Sequence, residues 1–406
     1  MVVIKQTIGL LLATFFTNLV YNVLHYCTQL LFKDIDKIAK VVIVSEWARC
    51  LVGVPQFLFP TKTQSFALYL YFGCSVLLIT MSGMLYIFSL SLDNIFGLYM
   101  LTFAIVSAAS SSQLLMSFIP IDSSTKTTFQ NSVLYFLSKS VAGVLEFGVQ
   151  TAIPYLTTWI VFLILSLVML FLTVICGVLK VVFKVKTSDT FPETKSSNRV
   201  RKIQQLFYSA FSVFWAVDVF CVIFASSFGA FNKGVFSACN QKMVLDKFQN
   251  ELDKYQYSFP ITIPKLIVIF LAPMVAYVIP AKFQLISAFA LVSILAALPQ
   301  ISSIYIYTFF SILWYLGKSL GTISWVPSLQ IILKSKARVN QFLSVEYVTY
   351  TAAYTFGSLC LGYFYENHQS PLFISASFIQ VLAIILVTYP FFFSNKRTDD
   401  DLTDTV

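Results

Sequence analysis

Apolar runs of roughly twenty residues, the length an α-helix needs to cross a bilayer at about 1.5 Å rise per residue, follow one another from end to end of this chain. Short polar breaks separate them. The pattern predicts helices over 6–32, 38–59, 65–89, 95–119, 129–151 and 155–183, then over 205–227, 259–280, 283–299, 301–333, 341–365 and 371–393. That is an all-α polytopic membrane protein with about twelve transmembrane helices in two six-helix pseudo-repeats. The expected organisation is an N-terminal half at 1–183, a basic cytosolic linker at 184–204, a C-terminal half at 205–393 and an acidic cytosolic tail at 394–406. The first run, IGLLLATFFTNLVYNVLHYC, is too long for a signal peptide and shows no small-residue cleavage site, so it reads as a retained span.

Composition narrows the function classes. The 406 residues are 58% hydrophobic and only 11% charged, with a mean hydropathy of +0.80, whereas a soluble domain carries roughly 25% charged residues. Most of the +9 net charge is topology, not a nucleic-acid surface. Lys5, Lys62, Lys126, the linker cations, Lys282, Lys334, Lys336, Arg338, Lys396 and Arg397 fall on one side, and Lys33, Lys37, Lys40, Lys233, Lys242, Lys247 and Lys254 on the other. Positive-inside reasoning makes the first side cytosolic, with both termini inside. The loop at 229–258 is then non-cytosolic, and its FNKGVFSACNQKMVLDKFQNELDKYQ stretch reads either as an amphipathic helix lying at the interface or as a loop folded over helix ends.

Catalytic chemistry is not suggested. His25 and His368 have no Cys, His or carboxylate at ligand spacing, so neither a metal nor a cofactor is expected. The seven cysteines lie mostly inside apolar runs and set out no disulfide framework. No nucleophile and base stand together, so an enzyme is not expected.

The informative residues are ionisable groups inside the apolar runs. VVIVSEWARCLVGVPQF carries Glu46 and Arg49 one helical turn apart, the fifth span carries Lys139 and Glu146 two turns apart, and Asp218, Lys318 and Glu346 lie in the seventh, tenth and eleventh. Each charge near mid-bilayer costs about 2.5 to 3.5 kcal/mol. They must pair, face the bundle interior or line a water-filled cavity. Glu46 and Arg49 are expected to share a face turned into the bundle, where they either neutralise each other as a structural lock or leave Glu46 to exchange protons. Asp218 and Lys318 have no local partner of opposite sign and are expected to pair across the second half. Asn18 and Asn22, four apart on the first helix, join Glu46, Arg49, Lys139, Glu146, Asp218 and Lys318 as candidates for a substrate or proton pathway. Gly317 and Gly321 form a G-x-x-x-G that permits close helix contact.

Six helices, a basic linker and six more resemble the major facilitator architecture, although the Gly-x-x-x-Asp-Arg-x-Gly-Arg-Arg loop of typical members is absent and the second loop reads FPTKTQS. The sequence resembles battenin, a divergent lysosomal and vacuolar branch that lacks the loop too. The resemblance is carried by TNLVYNVLHYCTQ with Asn18 and Tyr21, VVIVSEWARCLVG with Glu46, NSVLYFLSKSVAGVLEFGVQ, FWAVDVFCVIF with Asp218, LDKYQYSFPIT with Tyr255 and Gln256, WYLGKSLGTISWVPSLQIIL and SVEYVTYTAAYTFGSLCLG. It implies a transporter of the lysosomal or vacuolar membrane that supports export of glycerophosphodiesters or basic amino acids and luminal pH homeostasis. The partners expected are membrane lipid, a small polar solute and protons, with no nucleic acid. Two other readings stay open: a nucleoside or sugar carrier of another family, and a non-transporting scaffold whose linker and DDDLTDTV tail recruit cytosolic partners.

Overall fold

The computed structural model describes residues 2–32, 34–58, 63–111, 125–153, 156–178, 216–237, 243–244, 247–248, 259–333, 336–364 and 369–393. Among them are twelve α-helices and no strand. They are α1 (Val2–Leu31), α2 (Ile35–Leu58), α3 (Thr63–Ile87), α4 (Phe96–Ser111), α5 (Thr125–Ala152), α6 (Thr158–Val178), α7 (Val217–Ser237), α8 (Phe259–Val278), α9 (Ala281–Val292), α10 (Ile304–Leu333), α11 (Lys336–Phe364) and α12 (Gln369–Phe392). Two short 3-10 turns, Ser293–Ala296 and Leu298–Gln300, follow α9. The linker at 184–204 and the tail at 394–406 lie outside the described residues.

Apolarity sorts the helices into an outer and an inner set. Among the described residues four helices are long and apolar enough by themselves to cross a membrane, within α3, α6, α7 and α12. Their apolar windows are buried to 33% in α3, 39% in α6 and 33% in α12, against 67% in α7. The first three are therefore a sheath, and α7 is interior. The sheath turns Phe72, Val76 and Ile79 of α3, Leu167, Phe171 and Val174 of α6, and Phe378, Val381 and Ile385 of α12 outward, as lipid tails require of a helix with no polar face to hide.

The packing repeats. In the first half α1 contacts α4, α5 and α6, α2 contacts α4, and α3 contacts α4 and α6. Adding six to each number gives the second half: α7 contacts α10, α11 and α12, α8 contacts α10, and α9 contacts α10 and α12. The halves meet where α2 packs on α11 and where α5 packs on α8 and α10. The α5 seam is apolar, built from Val133, Phe136, Val268, Ala272, Leu316 and Leu320.

Glycines set the closest approaches. A Cβ on Gly234 of α7 would collide with the Tyr354 carbonyl of α11, and one on Gly357 of α11 with the Phe231 carbonyl of α7. Gly317 of α10 sits against α9, where a Cβ would lie 2.7 Å from that of Leu291, so this half of the G-x-x-x-G works by close packing.

The α7–α11 contact also corrects the sequence reading. Helix α7 continues to Ser237 instead of stopping at 227, so Lys233, expected on a non-cytosolic loop, lies inside the bundle. Of the stretch after it, the described residues Met243, Val244 and Phe248 are buried in the core, with the Phe248 ring 5.4 Å from that of Tyr307.

Candidate functional site: a cationic cavity between the halves

Where the inner helices diverge they leave a cavity of about 330 Å³. Both halves contribute to it: Asn18 from α1, Glu46 and Arg49 from α2, Ser110 from α4 and Lys139 from α5, against Ser226 and Lys233 from α7, Lys318 from α10 and Glu346 and Tyr350 from α11. Trp314, Trp325, Tyr135, Tyr347 and Phe289 supply aromatic walls. Four cationic side chains therefore face two carboxylates. Enough room remains for a small solute.

Arg49 is held from three helices. Its Nη1 donates to Glu46 Oε1 at 2.8 Å, its Nη2 donates to Ser110 Oγ on α4 at 3.2 Å, and its guanidinium lies 4.0 Å from the Tyr21 ring centre on α1. The turn between residues 46 and 49 makes the first bond local. The other two are tertiary. Glu46 is only 3% exposed, so the pair is a desolvated one in which each charge requires the other.

A second cluster joins α7 to α11. Ser226 Oγ donates to Glu346 Oε1, and Glu346 is buried. About two turns further along α7, Lys233 Nζ donates to Tyr350 Oη at 2.7 Å and lies over the Tyr350 and Tyr354 rings at 5.2 and 5.5 Å. Cation–aromatic contact of this kind gains strength where water is excluded.

Lys139 and Lys318 differ from both clusters. Each keeps accessible surface in the cavity, and neither ammonium group has a carboxylate or hydrogen-bond partner among the described residues. Lys318 lies 5.2 Å from the Trp314 ring centre and 6.0 Å from that of Tyr315. The charges acting on it are those of Lys233, Lys139, Lys265 and Glu46. Trp314 is itself buried, and its indole N–H has no acceptor among the described residues.

Of the candidates read from the sequence, Asn18, Glu46, Arg49, Lys139 and Lys318 come together on this cavity, with Asn18 Nδ2 donating to the Thr14 carbonyl at 2.8 Å. Asn22 and Asp218 do not line it. Asp218 sits in the first turn of α7, eight residues before Ser226, which places it about 12 Å away along the helix axis. The expected pairing of Asp218 with Lys318 is not among the ion pairs of the described residues. The side chain of Glu146 lies outside the described residues. Lys233, Ser226, Tyr350 and Trp314 are lining residues that the candidate list omits, and Glu346 enters the site from its place among the intramembrane acids. A signal for Lys233 was present: Phe220, Phe224, Phe228, Phe231 and Val235 continue one apolar face at three- and four-residue spacing past 227.

No protein-family model matches the sequence, and no curated protein matches it. Among solved structures, the chain is similar to the nucleoside transporter NupG, with 12% identity and a TM-score of 0.62 over 96% of this chain and 99% of that one. A mutant of NupG matches at 11% identity and a TM-score of 0.62, over 95% of this chain and all of that one. The fold is major-facilitator-like. At this identity the likeness speaks to architecture, and the cavity of this major-facilitator-like chain has to be read from its own residues.

Proposed function

We propose that this protein is a membrane carrier for a small polar solute, anionic or zwitterionic, at the membrane of an acidic organelle. The observation that supports it is the cavity, where Lys139 of one half and Lys318 of the other stand without acceptors of their own among the described residues. An unpartnered charge in a bundle costs about 2.5 to 3.5 kcal/mol. Water or a solute in the cavity offsets that cost, and a purely structural bundle has no use for it. Of the cargoes the battenin resemblance implies, glycerophosphodiesters suit four cations facing two carboxylates, whereas a basic amino acid would add like charge. Glu46 and Glu346 are the groups placed to exchange protons during transport.

A nucleoside is the second reading, favoured by the NupG likeness and by Trp314, Trp325 and Tyr347, whose faces suit a planar base. Purified protein in liposomes, offered a glycerophosphodiester, lysine and uridine in parallel across a pH gradient, separates these. Saturable glycerophosphodiester uptake is the expected result. Uridine uptake alone would transfer the reading to nucleosides, and no flux of any solute by folded protein would overturn the carrier and favour a scaffold.

A further inference from the structure

The four cations of the cavity are not equivalent. Arg49 is committed to Glu46, Ser110 and Tyr21, and Lys233 to Tyr350. Lys139 and Lys318 are committed to no acceptor among the described residues. They also stand on α5 and α10, the helices that pack on each other across the boundary between the halves. Lys139 is influenced by Lys233, Arg49 and Glu46, and Lys318 by Lys233, Lys139, Lys265 and Glu46. Among the described residues Glu46 is a carboxylate that acts on both, and its Oε1 is already bonded to Arg49. Glu346 faces the opposite cluster on α7, and His25 of α1 lies within reach of Lys265 and Lys318 without supplying an anion.

Lys139 and Lys318 thus bring to the cavity two ammonium donors with no acceptor of their own among the described residues. A pair of uncommitted ammonium groups is complementary to an oxyanion, which has several lone pairs and no hydrogen to give. We propose that Lys139 and Lys318 are an anion clamp: one compact oxyanion of the solute, phosphate-type or carboxylate, bridges the two ammonium groups, and with it in place the halves are drawn together. Without it, two like charges on opposing helices resist closure, so the empty carrier reorients slowly. As an account of turnover the clamp rests on the carrier reading; as an anion site it stands apart from it.

The test is calorimetric titration of the full-length protein in lipid nanodiscs with inorganic phosphate and with acetate, at constant ionic strength against chloride. Saturable binding of at least one of the two is expected. Lys139→Met and Lys318→Met should each weaken it at least about tenfold, Lys139→Arg and Lys318→Arg should restore most of it, and Lys40→Met, at an exposed site, should leave it unchanged. Thermal unfolding of each variant verifies that it is folded. Preference for phosphate over acetate assigns a phosphate-bearing solute, and the reverse a carboxylate. Binding no stronger than chloride, or Met variants that bind like wild type, would overturn the clamp. Intact anion binding with no flux of any solute overturns the carrier and leaves the clamp standing, while flux of a neutral solute without anion binding does the opposite.

Discussion

Helices α6 and α2 are of similar length, 21 and 24 residues, and belong to the same half of the bundle, yet they solve opposite problems. Helix α6 has no charged residue: it packs Val161, Phe162, Leu165, Met169 and Leu172 inward and shows Ile164, Leu167, Leu170, Phe171 and Val174 to lipid. Helix α2 carries Glu46 and Arg49 in its middle and survives because α1, α4 and α11 cover them. By composition α6 announces itself as a span, and α2 does not qualify as one among the described residues. Three of the four helices recognised as membrane-crossing by composition, α3, α6 and α12, form the sheath and have little to do at the cavity, while α7 is the exception that brings Ser226 and Lys233 to it. Polar groups that line the cavity are the same groups that dilute the hydropathy signal.

The sharpest way to break the contrast is on α2. Arg49→Met leaves the Glu46 carboxylate buried without its partner and should cost about 3 to 5 kcal/mol of stability, measured by unfolding in mixed micelles. The double variant with Glu46→Gln should recover most of it. A double variant as unstable as Arg49→Met alone would mean that Arg49 acts through Tyr21 and Ser110 and not through its charge partner.

On α6 the corresponding change is Leu167→Lys, which puts an ammonium group on the lipid face. It should cost about 2.5 to 3.5 kcal/mol if that residue lies near the bilayer centre, read by the same unfolding assay. A neutral outcome would mean that this face of α6 meets water or another chain. Leu170→Ala on the same face is the smallest perturbation. Lipid is as apolar as the leucine it would replace, so a change of about 0.5 kcal/mol or less is expected. A loss of several times that would show Leu170 packed against protein.

The comparison also explains which parts of the site were legible. Glu46 and Arg49 were readable as a pair because their partnership is local, one turn of one helix. Lys139 and Lys318 were readable as intramembrane charges, but their convergence was not, since the two are 179 positions apart and only the α5–α10 contact makes them neighbours. Asp218 was placed with Lys318 because opposite signs in one half invite pairing, and the helix axis carries it away instead. Lys233 falls in the loop expected at 229–258 because the seventh span is read as ending at 227, and Gly234 follows it directly. In the fold that glycine is the point where α7 meets the α11 backbone, so it belongs to a helix contact.

By itself the sequence determined the class of the protein: apolar runs of spanning length, too little charge to face water, and charges that have to be sheltered inside. It also determined one ion pair, because helical spacing is a local property. The tertiary structure alone decided which helices face lipid, which lysines share a cavity, and that Glu346 and Lys233 belong to it. These depend on packing between segments distant in sequence, where the partner of a residue is chosen by helix contacts that no local pattern records.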